Sequence, residues 1–292
     1  MSRYFNETSK ADKWTPEVLS SKLDLQELLT PILEENMAEA LPKQEELAPK
    51  KAKALPHLIL PVPQDVPLLT RRDESLSHAA ESYRTLRTRL QRLQASRNIR
   101  SVVFSSSLPG EGKTLTTVNL GLCCTQLSDF PVLIIDADLR TRGLTHLLGC
   151  NSVMGLSELL SSNTGFDQAL LSTDFPNLSV VPAGASTTSP AELFATQKWK
   201  EFIDWAGQTF KLILVDSPPV LPLTDFELIS AACDGVAFVI RGGSTNREMI
   251  RRATLQLDSN KLLGSIFNVS QDRAQVEHRG YSGTALSLKE TA

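Results

Sequence analysis

The chain carries no strong excess of either charge. Thirty Lys and Arg stand against 33 Asp and Glu, a formal net charge of −3 over 292 residues. Near-neutrality removes any global attraction to nucleic acid. Cysteine is scarce: Cys123, Cys124, Cys150 and Cys233 make no CxxC pair and no Cys/His set at zinc spacing. Neither a zinc site nor a disulfide framework is expected, and buried thiols in a reducing compartment are. No apolar run approaches the ~20 residues needed to cross a bilayer as a helix. Residues 1–10 are polar and lack a secretory core. A soluble, cytoplasmic chain is expected, reaching a membrane only through a partner or a surface contact. Tyrosine occurs three times, at Tyr4, Tyr83 and Tyr281.

What is present divides the chain into three. Residues 1–70 are rich in proline and charge, with Pro42, Pro49, Pro56, Pro61, Pro63 and Pro67. They read as a largely disordered or docking arm, with one helical pattern near 19–37 that Pro31 interrupts. Residues 71–272 read as one domain, and 273–292 as a flexible polar tail. The domain opens with a basic amphipathic helix over about 75–95, where Ala79, Tyr83, Leu86, Leu90 and Leu93 recur at steps of three or four. Eight arginines lie between Arg71 and Arg100, but no aromatic platform accompanies them, so a subunit or anionic-surface contact is preferred to nucleic acid.

From residue 100 short apolar runs appear at 101–105, 132–136, 178–182, 212–216, 236–240 and 262–269, separated mostly by helical stretches. Continuous apolar strands alternating with helices predict an α/β fold: a doubly wound, mostly parallel sheet covered on both faces. Ligands in such sheets bind beyond the carboxyl ends of the strands.

The first of these strands runs straight into Ser105-Ser106-Ser107-Leu108-Pro109-Gly110-Glu111-Gly112-Lys113-Thr114, and a helix follows. Glycine at 110 and 112 lets the backbone turn tightly and aim its N–H groups at phosphate oxygens. The helix N-terminus adds its positive dipole end. Lys113 can reach the β- and γ-phosphates of a nucleotide, and the Thr114 hydroxyl can ligate Mg²⁺. The strict pattern has a glycine where Ser107 stands, which alone would leave an ordinary turn as the alternative.

Two further strands end in carboxylates. The 132–136 run ends in Asp136-Ala137-Asp138-Leu139-Arg140, and the 212–216 run ends in Asp216-Ser217-Pro218. Asp216 and Asp138 suit a Mg²⁺ ion that keeps several waters. Asp136 is placed to orient or deprotonate an attacking hydroxyl, and Arg140 to steady phosphate or a neighbour. One strand-end Asp serves as readily to cap a loop; three features in nucleotide-site order are harder to explain that way.

Together these segments resemble the bacterial tyrosine kinases that partner polysaccharide co-polymerases, a family similar in fold to the MinD/ParA group of P-loop NTPases. Pro109-Gly110-Glu111-Gly112-Lys113-Thr114 resembles Walker A, residues 134–140 resemble the additional Walker A′ motif, and 214–218 resemble Walker B. Glu81, Arg84 and Arg87 resemble the family's E-x-x-R-x-x-R helix, which implies a subunit contact in a ring-like oligomer or dimer. Weaker agreement continues at 182–184, 189–193 and 218–222 with Asp225. Phe267-Asn268 resembles the place where an Asn recognises adenine.

The resemblance implies an ATP- and Mg²⁺-dependent protein-tyrosine autokinase acting in exopolysaccharide or capsule export. Its implied location is the inner face of the plasma membrane, on a membrane co-polymerase or chain-length determinant. Such kinases phosphorylate a tyrosine cluster in the tail; here the tail holds Tyr281 alone. The alternatives are a MinD/ParA-type ATPase switch with water as acceptor, and a scaffold that binds nucleotide only to assemble. The switch group carries an extra lysine between Ser107 and Gly110, which this chain lacks.

Overall fold

The structure, a computed structural model, describes residues 57–59, 77–185, 189–221 and 224–269. Within them eight strands form one sheet: β1 (His57–Leu58), β2 (Ser101–Ser106), β3 (Val132–Asp136), β4 (Leu171–Thr173), β5 (Leu178–Val181), β6 (Leu212–Asp216), β7 (Gly235–Gly242) and β8 (Leu262–Val269). Their spatial order is β1-β4-β5-β3-β6-β2-β7-β8. Every neighbouring pair is parallel except β4 with β5. The helices are α1 (Ser77–Arg97), α2 (Lys113–Cys124), α3 (Gly143–Leu147), α4 (Leu156–Ser161), α5 (Pro190–Phe194), α6 (Gln197–Thr209), α7 (Asp225–Ala231) and α8 (Arg247–Thr254).

Side chains alternate across the central strands, so each strand feeds two cores. Val103, Leu133, Ile135, Ile213 and Val215 pack with Leu156 and Leu159 of α4 and with Trp199 and Phe202 of α6. Val102, Phe104, Val132, Ile134, Leu212 and Leu214 pack on the opposite face with Leu90 of α1 and Val118 and Leu120 of α2. Burial on both faces is why these strands read as unbroken apolar runs. Each fully buried side chain of this size contributes about 1.5–3 kcal/mol. In α6, Trp199, Phe202, Ile203 and Ala206 are buried at helical spacing, and Phe194 meets the Trp199 ring edge-on at 5.3 Å. All four cysteines are free and buried.

The expected strands at 132–136, 212–216 and 262–269 fall where the apolar runs placed them; those at 101–105 and 178–182 differ by one residue at the end, and the one at 236–240 extends by one residue before and two after. Two short strands had no such signal. β1 lies inside the stretch expected to be an arm, yet it pairs with β4 through His57↔Ser172 and Leu58↔Thr173. A two-residue strand has no periodicity of its own; its neighbour's ladder defines it. The helix expected near 19–37, the tail over 273–292, Tyr4 and Tyr281 lie outside the described residues.

The helix carrying the E-x-x-R-x-x-R pattern forms as α1, and its charges divide. Arg84 pairs with Glu81 at 2.9 Å on an exposed surface. Arg87 turns into its own fold, donating to the Cys123 carbonyl at 2.6 Å and to Gln126 Oε1 at 3.4 Å. The last carbonyls of α2 carry the negative end of its dipole and attract that cation. Within this single chain, Arg87 is thus engaged with the end of α2.

The functional consequence of the fold is strand order. β3, β6 and β2 are adjacent, so the two acidic strand ends and the phosphate-loop strand end side by side. Among the described residues, no helix is long and apolar enough to cross a membrane.

Candidate active site

The loop leaving β2 turns through two left-handed glycines, Gly110 at φ 82° and Gly112 at φ 94°. Ser107 has no positive φ, so the departure from the strict glycine pattern costs the backbone nothing there. Gly112 stands at the head of α2, and no side chain caps the helix. Its first N–H groups are left for a ligand. A Cβ on Gly112 would lie 1.9 Å from Asn268 Nδ2. Asn268 reaches the loop from the end of β8 and donates to the Glu111 carbonyl at 3.1 Å. The buried Glu111 carboxylate accepts from the Leu108 N–H at 3.1 Å and from the Thr245 hydroxyl. The phosphate loop is thus held from both sides.

Lys113, the first residue of α2, sends Nζ to Asp138 Oδ2 at 3.2 Å. Burial works to lower the Lys113 ammonium, but the Asp216, Asp138 and Asp136 carboxylates together hold it above the usual lysine value. Asp138 also accepts from the Thr141 N–H at 3.1 Å, which closes the turn after β3. Asp136 and Asp216 are direct partners in the β3/β6 register, and both are fully buried. Burial pushes the Asp136 carboxyl up to about 6, against hydrogen bonds that favour its charge. Its Oδ2 accepts from the Thr145 N–H at 2.8 Å and the Thr145 hydroxyl at 2.6 Å; Oδ1 accepts the Asp138 N–H at 3.2 Å. Burial likewise raises Asp216, to about 7, with Lys113 opposing. Thr114 lies near enough to favour the Asp216 charge, yet neither Asp216 oxygen has a hydrogen-bond partner of good geometry.

Those orphaned oxygens are the observation that bears on a metal. A buried carboxylate without a partner is costly, and a cation or its bound water removes the cost. Among the described residues no His, Cys, Asp and Glu cluster forms a ready-made metal cage. Mg²⁺ keeps waters and takes further ligands from phosphates, so one or two carboxylates suffice. Thr114, Asp138 and Asp216 fit that requirement, and the Gly110–Gly112 cradle fits the phosphates.

Of the residues expected at the site, Lys113, Asp136, Asp138 and Asp216 come together, with Pro109 to Thr114 above them. Arg140 holds a neighbour: its Nε and one terminal nitrogen grip the buried Asp225 carboxylate at 2.6 and 3.1 Å. Asp225 opens α7, far along the chain, and only tertiary structure reveals the pairing. Thr145 and Glu158 carried no motif. Glu158 accepts from the Gly155 N–H at 2.8 Å and the Ala185 N–H at 2.7 Å, strapping the loop after β5 to α4.

This mostly parallel sheet, with a glycine loop opening a helix and carboxylates at the neighbouring strand ends, defines a P-loop nucleotide-binding protein. No protein-family model matches the chain. It is 32% identical over 213 residues to the tyrosine-protein kinase YwqD of Bacillus subtilis, covering 72% of this chain and 89% of that one. It is 31% identical over 195 residues to the tyrosine-protein kinase wzc of Salmonella typhimurium, covering 65% of this chain and only 27% of that longer protein. The solved BceF tyrosine kinase domain superposes with a TM-score of 0.61 at 33% identity, over 67% of this chain and 80% of that one. The chain belongs to the bacterial tyrosine-protein kinase family.

Proposed function

We propose that this chain binds ATP with Mg²⁺ where β2, β3 and β6 end and moves the γ-phosphoryl group to a tyrosine hydroxyl, serving exopolysaccharide or capsule export. One observation carries the reading: buried Lys113 is ion-paired with Asp138 and feels the Asp216 and Asp136 carboxylates at the neighbouring strand ends. The amides of residues 110–113 and the Lys113 ammonium hold phosphate oxygens and offset their charge as the bond to the leaving group lengthens. Thr114, Asp138 and Asp216 would hold Mg²⁺, partly through water, and the ion would supply charge neutralisation to the phosphates. Asp136 orients the acceptor hydroxyl and takes its proton. Arg140, fixed by Asp225, braces the turn that presents Asp138. Asn268, already touching the loop, meets the adenine.

The acceptor is Tyr281, on this chain or on a neighbouring copy. Tyr83 is a poor acceptor, because burial raises its hydroxyl's pKa while Asn119 and Thr116 engage it. Glu81, Arg84 and Arg87 mark the face for self-association into a ring or dimer. A membrane polysaccharide co-polymerase is the partner that places the chain at the inner face of the plasma membrane. Nucleic acid has no role in this reading.

The test is phosphosite mapping by mass spectrometry after incubation with ATP, Mg²⁺ and the cytoplasmic tail of the co-polymerase. Phosphotyrosine at Tyr281, absent in Y281F and in K113A, is the expected outcome. Normal nucleotide binding and ATP turnover without phosphotyrosine on either protein would reject the kinase and leave an ATPase switch. Export that survives K113A would leave a scaffold.

A further inference from the structure

Thr145 has no place in any motif discussed above, yet it is fully buried and makes two opposed hydrogen bonds through one oxygen. Its hydroxyl lies 2.6 Å from Asp136 Oδ2. The same Oγ1 lies 2.8 Å from the Ala183 nitrogen, in the loop after β5. A backbone N–H can only donate, so Oγ1 accepts from Ala183. The hydroxyl's single proton is then free to point only at Asp136. The Thr145 N–H also donates to Oδ2, at 2.8 Å. Two donors therefore saturate one carboxylate oxygen of Asp136. The other, Oδ1, accepts from the Asp138 N–H at the longer distance of 3.2 Å.

The Ala183 end of this relay is itself fixed. Leu156 N–H donates to the Pro182 carbonyl at 2.8 Å and Ser157 N–H to the Ala183 carbonyl at 2.9 Å. A Cβ on Gly155 would lie 2.3 Å from the Pro182 oxygen, so α4 and this loop are in close backbone contact. On the other side the Thr145 carbonyl accepts from the Cys150 N–H at 3.1 Å. Thr145 is held at both backbone ends, which leaves its hydroxyl little freedom to choose another partner.

We infer that Thr145 is a positioning residue for phosphoryl transfer: by occupying Oδ2 it turns the Asp136 carboxylate so that Oδ1 faces the reacting groups. This rests on the role proposed above for Asp136.

The test compares T145V, which keeps the shape and removes the hydroxyl, with T145S, which keeps the hydroxyl, in the full chain. ADP release gives kcat and KM, a fluorescent ATP analogue gives the nucleotide Kd, and thermal unfolding reports the fold. T145V is expected to lose between about tenfold and a hundredfold in kcat, the range of one hydrogen bond to a charged group. Its Kd is expected to stay within about twofold, because the interaction acts on the reacting carboxylate and not on ground-state binding. T145S is expected to recover most of kcat. An unchanged kcat in T145V, a T145S as impaired as T145V, or an equal loss of nucleotide affinity overturns the inference. Should T145V not fold, T145A makes the same comparison; if neither folds while T145S does, the hydroxyl is structural and the inference fails. D136N with wild-type kcat would reject the role of Asp136 and this inference with it. An inactive D136N beside an unaffected T145V would reject Thr145 alone.

Discussion

Lys113 Nζ and Asp138 Oδ2 form an ion pair at 3.2 Å between the phosphate loop and the turn after β3, with side chains only 10% and 2% exposed. Breaking a buried pair by removing one partner costs about 3–5 kcal/mol. Here Asp136 and Asp216, both raised by burial, also face the lysine and can take up protons when it is lost, so K113A is expected near the lower end, about 3 kcal/mol. Urea unfolding measures it. Nucleotide affinity is expected to fall at least about a hundredfold, since both the charge and the charge-assisted bonds to phosphate go. Titration with a fluorescent ATP analogue checks this, and an unchanged affinity would contradict the site.

Asp216 makes stability depend on pH in a defined direction. Its folded carboxyl is raised by burial to about 7, above the unfolded value of about 4. Between those values the native state binds more protons than the unfolded state. Stability therefore falls as pH rises through that window, and this group adds no further slope above it. D216N removes both the titrating proton and the repulsion from Asp136. Without nucleotide or Mg²⁺, its Tm at about pH 7.5 is expected to exceed wild type by a few degrees, with a shallower slope between about pH 5 and 7. Mg²⁺-dependent turnover is expected to be lost. A D216N Tm at or below wild type at about pH 7.5 would refute this account.

Gly112 is constrained twice, by φ 94° and by the 1.9 Å approach that a Cβ would make to Asn268 Nδ2. The left-handed backbone alone costs a non-glycine residue about 1–2 kcal/mol. G112A is expected to lose nucleotide binding and at least that much stability. Adding N268A removes the clash but not the strain, so G112A/N268A should recover part of the Tm and little of the binding. Full recovery would show that the backbone conformation there is unimportant.

Arg87 and the Glu81–Arg84 pair should separate experimentally. R87A removes a guanidinium from the α2 C-terminus and leaves the Cys123 carbonyl without that donor. A loss of about 1–2 kcal/mol in stability is expected. E81A/R84A removes an exposed pair worth under about 1 kcal/mol, so its Tm should hardly move. If these residues serve self-association, E81A/R84A should shift the sedimentation profile toward monomer at unchanged Tm. A lower Tm at unchanged sedimentation would assign them to the fold alone.

The elements of the site were legible because each is local. The glycines at 110 and 112, the apolar run before Asp136 and the run before Asp216 lie within a few residues of the groups they deliver. Arg140 shows where that ends: its arginine was visible in the motif, while its partner Asp225 lies 85 residues away. Asn268 was visible as a strand-end residue, but its bond to the Glu111 carbonyl spans 157 positions. Thr145 had no signal at all, since a threonine within a short apolar helix looks the same whether or not a carboxylate faces it. β1 and β4 were missed because two or three residues cannot display a period.

What the sequence by itself determined was the chemistry on offer: a phosphate-binding turn, an ammonium, strand-end carboxylates and a sheet buried on both faces. Backbone preference and hydrophobic period act over a few residues, so those features can be read in one dimension. What only the tertiary structure decided was which offers meet. The adjacency of β3, β6 and β2, the opposition of Asp136 to Asp216 and the partners of Arg140 and Thr145 follow from strand order and register. These are settled by packing between segments far apart along the chain.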